Sequence, residues 1–223
     1  MEGLFMEKQE DLEKWRTLNE MREFYHKTYS TIKNNEILKH EARLKSKKHF
    51  YKEFLEEYIP LLNYAELEYK SKNFKCRHVG IKTQKDSDQY DGEFLSSDGT
   101  LEKVEIAAPR DGHKENKDAV QLNNKGFSEG ECYDIETKWN EIKQNILITS
   151  NIKAVKNYEN ISLVISFEYS LYINPASSIG IKMIEELLEE LKDLSYIAKK
   201  VYLLVPPQES SICIFGGLLY KVK

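Results

Sequence analysis

The chain has 223 residues, a formal net charge of −4, and 40% hydrophobic and 31% charged residues; this allows one well-buried core with a helical appendage and excludes a molecule that draws nucleic acid by its overall charge. No apolar run approaches the ~20 residues that cross a bilayer, and the acidic opening Met1–Glu10 lacks the basic and apolar regions of an export signal. With Cys76, Cys132 and Cys213 widely spaced and odd in number, neither a disulfide framework nor a CxxC zinc site is expected, and the reading is a cytoplasmic, non-membrane protein.

Between Glu7 and Ile32 the residues Leu12, Trp15, Leu18, Met21, Tyr25, Tyr29 and Ile32 recur every three or four positions, which predicts an amphipathic helix. Asn34-Asn35 marks a break, and Ile37, Leu38, Ala42, Phe50, Phe54, Leu55 and Tyr58 carry a second stripe as far as Pro60. Together they predict a helical hairpin over residues 1–60, set beside a core over residues 61–223. The basic run Lys39–Lys52 is read as a solvated helix face, with phosphate contact as the alternative. The abundance of tyrosine, 14 in the chain, together with the hairpin suits a homodimer or partner-protein interface.

After Pro60 a shorter helical pattern carries Leu61, Leu62, Ala65, Leu67 and Tyr69, with Glu66 and Glu68 among them. Strands are then expected over Phe74–Ile81, Gln89–Ser96 and Leu101–Ala108, the last two joined at Asp98-Gly99, a pair that supplies the positive φ of a tight antiparallel turn. Pro109–Gly130 reads as a long polar loop containing His113. A helix follows over Glu131–Tyr158, its inward stripe set as Ile135, Trp139, Ile142, Ile146, Thr149, Ile152 and Val155. Ile161–Phe167 is a strand apolar on both faces, Ile179–Lys200 an amphipathic helix, and Val201–Val205 and Ser211–Phe215 are strands, the last ending before Gly216-Gly217.

From Leu61 onward the order is helix, three antiparallel strands, helix, strand. Within it stand Tyr90-Asp91-Gly92-Glu93-Phe94 and, on the next strand, Val104-Glu105-Ile106-Ala107. In this order and these residues the chain resembles the PD-(D/E)XK, restriction-endonuclease-like nuclease superfamily. The resemblance implies an α/β (α+β) fold with an αβββαβ core and a mixed sheet flanked by helices. It also implies Mg2+ or Mn2+ held by Asp91 and Glu105, with Glu66 as the first-helix acid and Glu68 in reserve. Strand alternation is compatible with this pairing: Val104, Ile106 and Ala108 share one face, so Glu105 and Ala107 take the other. Two carboxylates on adjacent strands can share a hard cation that activates water against a phosphodiester.

The sequence departs from the family at Ala107, where the resemblance calls for a lysine. Lys138, three residues after Ile135 and four before Ile142, falls on the predicted inward stripe of the following helix and is the candidate replacement, with Lys143 and Gln121 behind it. The resulting expectation is a DNA-cleaving enzyme, with DNA favoured over RNA and, by analogy with the superfamily, a place in restriction or phage defence. The alternative is a nuclease fold without its chemistry, serving as a nucleic-acid- or protein-binding subunit. No phosphate-binding glycine loop, HExxH or GxSxG is present.

Overall fold

A computed structural model describes residues 9–35, 38, 50, 53–80, 90–109, 121, 134–167, 177–206 and 217–223. The expected basic run, nearly all of the loop with His113, and the expected strand at Ser211–Phe215 lie outside these residues. Helices α1 (Gln9–Leu12), α2 (Leu18–Lys33), α3 (Ile59–Glu68), α4 (Ile135–Ala154) and α5 (Ser178–Lys192) surround strands β1 (Phe74–His78), β2 (Gly92–Ser96), β3 (Leu101–Ala107), β4 (Ile161–Ser166), β5 (Lys200–Val205) and β6 (Leu218–Lys221).

The strands form one six-stranded mixed sheet in sequential order. Neighbours β1–β2, β2–β3 and β5–β6 are antiparallel, while β3–β4 and β4–β5 are parallel. Each parallel step is made through a helix, α4 and then α5, since a parallel neighbour needs a crossover. The β2–β3 hairpin turns at Asp98-Gly99, with Gly99 at φ 85° and the Thr100 amide donating to Asp98 Oδ1 at 2.9 Å.

Strand alternation divides the core between two faces. Phe94, Val104, Ile106, Val164 and Leu204 pack with α2 and α3, whereas Ala107, Leu163, Ile165, Val201 and Leu203 pack with α4 and α5. Both faces are therefore covered, and Glu105, which shares the parity of Ala107, is buried toward α4.

The first expected helix is divided. Thr17 and Glu20 form a reciprocal capping box that starts α2 afresh, and Arg16 just before it pairs through both backbone groups with Cys76 on β1. Leu12, Met21, Tyr25 and Ile32 lie in the same buried cluster as Tyr64 and Phe94, so these residues share the core of the sheet. The boundary expected at Pro60 falls inside a continuous helical run, in which Phe54–Tyr58 is a π-helical turn leading into α3. Proline cannot donate to the carbonyl four residues back, and the wider turn, closed by the Ile59 amide on the Phe54 carbonyl, carries the helix past it.

Candidate functional site

The β2–β3 register pairs Gly92 with Val104, so one step further Asp91 stands across from Glu105. The Asp91 amide donates to the Val104 carbonyl at 2.9 Å, and the Ile106 amide donates to Asp91 Oδ2 at 2.7 Å. Burial is the larger reason why the Asp91 carboxyl is held well above its ordinary range; the charges of Glu105 and Glu57 add to it, and the Ile106 amide and Lys153 oppose it. Glu105 is buried and Asp91 partly exposed, and their carboxyl groups are close enough to repel.

Glu105 is held from α4 and the segment after it. Lys153 Nζ and the Tyr158 hydroxyl both donate to Glu105 Oε1, the latter at 3.2 Å. Burial and the neighbouring Glu105 charge push the Tyr158 phenol upward, so it keeps its proton and acts as a donor. These contacts engage one oxygen of each carboxylate, Oδ2 and Oε1. An all-carboxylate donor pair of this kind fits a hard divalent cation, which would also relieve the repulsion that raises Asp91.

The other expected site residues are committed elsewhere. Glu66 is buried and receives a two-point contact from Arg22 on α2, with Nη2 at 2.6 Å from Oε2. Lys138 donates to Glu141 Oε2 at 2.9 Å, one helical turn along α4. Lys143 pairs with Glu190 on α5. The lysine that reaches Glu105 is Lys153, fifteen positions beyond Lys138, and the helical acid whose charge bears on Asp91 is Glu57.

The expected stripe of α4 does not single out Lys153. Its buried residues are Trp139, Ile146, Ser150 and Ala154, while Ile135, Ile148, Ile152 and Val155 are exposed. With apolar residues on both sides of the helix, spacing alone does not select the inward face. The usable signal was Lys153 itself, adjacent to the small residue Ala154 near the end of the helix.

On the same parity of the sheet lies a cross-strand row, Arg77–Glu93–Lys103. Arg77 donates to Glu93 Oε2 at 2.7 Å, the Tyr90 hydroxyl donates to Oε1 at 2.7 Å, and Lys103 Nζ lies 4.7 Å from the centre of the Tyr90 ring. This row carries cations next to the carboxylate pair.

A further group joins the π-helical turn to the end of β1. Glu57 Oε2 lies 2.6 Å from His78 Nε2, and Glu53 Oε2 lies 3.8 Å from His78 Nδ1. One ligand atom from each of the three residues lies within 4.8 Å of the others. Compared with protein-family models, curated proteins and solved structures, the chain matches none.

Proposed function

We propose that the protein is a metal-dependent phosphodiesterase of the PD-(D/E)XK type acting on DNA, its αβββαβ core running from α3 to β4. The observation that carries this reading is the meeting of Asp91 and Glu105 from adjacent strands with a lysine, Lys153, on Glu105. Mg2+ or Mn2+ bound by Asp91 and Glu105 would polarise a phosphate oxygen and lower the pKa of water.

The chain's own groups have separate tasks. Lys153 supplies a fixed ammonium beside Glu105, suited to charge that builds on a phosphate in the transition state. Tyr158 fixes the rotamer of Glu105 by donating to the same oxygen. Arg77 and Lys103 provide cations for flanking backbone phosphates, which position a strand without reading its sequence. The role expected of the missing lysine at Ala107 passes to α4, at a position different from the one its spacing suggests.

Cleavage of plasmid and single-stranded DNA with Mg2+ or Mn2+ tests this. Asp91→Asn, Glu105→Gln and Lys153→Met are each expected to lower the rate by about 100-fold or more, with secondary structure unchanged. Equal cleavage by the wild type and all three variants would overturn the assignment. The binding-subunit alternative is favoured by one observation, that Glu105 Oε1 is already occupied by Lys153 and Tyr158. DNA binding without metal-dependent cleavage by the wild type is the outcome that selects it.

A further inference from the structure

Glu53 and Glu57 are four residues apart, one just before the π-helical turn and the other within it. That spacing places both on one helical face, and the face meets His78 at the end of β1. The imidazole is fully buried, with a side-chain exposure of 0%, and its Nδ1 has no hydrogen-bond partner. A buried ring nitrogen left unpaired carries a desolvation cost that proteins seldom leave uncompensated.

The two sides of the ring differ in a way that a metal explains. Glu57 Oε2 is at hydrogen-bond distance from Nε2, 2.6 Å; a carboxylate there fixes the proton on Nε2 and leaves the lone pair on Nδ1, as carboxylate partners do behind metal-binding histidines. Glu53 Oε2 is 3.8 Å from Nδ1, beyond hydrogen-bond reach. Two ligand atoms each ~2.1 Å from one ion lie roughly 3.0–3.7 Å apart at octahedral to trigonal angles. The observed gap is thus close to the span across a shared cation.

We infer that Glu53, Glu57 and His78 form a divalent transition-metal site, with His78 Nδ1 and Glu53 as ligands and Glu57 as the group that sets the tautomer. A donor set of one imidazole with carboxylate suits Zn2+ or Mn2+ better than Mg2+, which favours all-oxygen surroundings. Of the three side chains Glu57 is the most exposed, at 26%. The site shares no ligand with the Asp91–Glu105 pair, although the Glu57 charge bears on Asp91, and it stands whether or not that pair cleaves DNA.

Titration of the full chain with Zn2+, Mn2+ and Mg2+ by calorimetry, after stripping with a chelator, tests the inference. The wild type is expected to bind Zn2+ and Mn2+ at least tenfold more tightly than Mg2+. Glu53→Gln and His78→Gln are each expected to weaken Zn2+ binding tenfold or more, while Asp91→Asn retains it. Unchanged Zn2+ affinity in both Glu53→Gln and His78→Gln, or its loss in Asp91→Asn alone, overturns the site. Should the variants fail to fold, nitrogen NMR of the wild-type imidazole decides: Zn2+ is expected to shift His78 Nδ1 selectively, and an unmoved resonance overturns the inference.

Discussion

Asp91 carries the largest electrostatic conflict in the site. Burial first, and then the charges of Glu105 and Glu57, hold its carboxyl well above the ordinary carboxylate range. The folded chain therefore keeps a proton that the unfolded chain has released, and stability falls as pH rises from about 4 toward the folded pKa. Each pH unit within that window removes at most about 1.4 kcal/mol, or ~3–6 °C of unfolding temperature. Asp91→Asn can still accept from the Ile106 amide and has no proton to lose. Calorimetry in chelator should find the variant level with the wild type near pH 4 and increasingly more stable as pH climbs toward the folded pKa of Asp91; a constant difference would argue against a raised Asp91 carboxyl. Lys153 and Lys138 provide a second comparison. Lys153→Met leaves the buried Glu105 without its cation and should cost about 3 kcal/mol by denaturant unfolding. Lys138→Met removes an ion pair within one helix and should cost less than about 1 kcal/mol. Equal losses would mean that the two lysines do not differ in the way their contacts indicate.

At the scale of elements, helix starts are set by local chemistry. Thr17 accepts from the Glu20 amide while Glu20 accepts from the Thr17 amide, so Thr17→Ala should lower stability by about 1 kcal/mol, measured by urea unfolding. The T-x-x-E pattern was available in the sequence, yet the apolar period running through Trp15 and Leu18 obscured it; the break came from Arg16 pairing with Cys76, a contact across 60 positions. At the other end, β6 follows Gly217, whose φ of 107° and whose 2.2 Å approach of an added Cβ to the Val205 carbonyl leave room for glycine alone. Gly217→Ala should therefore detach or displace β6, seen as faster amide exchange at Leu218–Lys221 with slower change in β4. The hairpin at Asp98-Gly99 was legible because its turn chemistry is contained in two residues. The inward face of α4 was not, because apolar residues occur on both sides of that helix and docking against β3 and β4 chose between them.

Across the molecule, the mixed sheet is closed on one side by α4 and α5 and on the other by α2, α3 and the π-helical turn. The segment expected as an appendage contributes Leu12, Met21, Tyr25 and Ile32 to the second of these layers. At ~1.5–3 kcal/mol for each buried side chain, their removal approaches the ~5–15 kcal/mol that holds an ordinary domain together. A chain beginning at Phe50 should accordingly lose its cooperative thermal transition and bind a hydrophobic dye. A sharp transition at the wild-type temperature would show that residues 9–35 form an independent unit. The helical hairpin itself was only partly legible, since its second arm is described from Glu53 onward and continues through Pro60 into α3.

The sequence by itself determined the order of the elements from α3 to β5, the parity of β3 that sends Glu105 and Val104 to opposite faces, and the opposition of Asp91 and Glu105 across a short turn. Those features depend on periods and turn residues that act over a few positions. Tertiary structure decided which lysine reaches Glu105, which helical acid bears on Asp91, and how Glu53, Glu57 and His78 meet. A side chain's reach across elements depends on how each helix is rotated and docked, and that is fixed by packing summed over both faces of the sheet. Lys153 and Lys138 lie on one helix, and only its docked rotation gives Lys153 to Glu105.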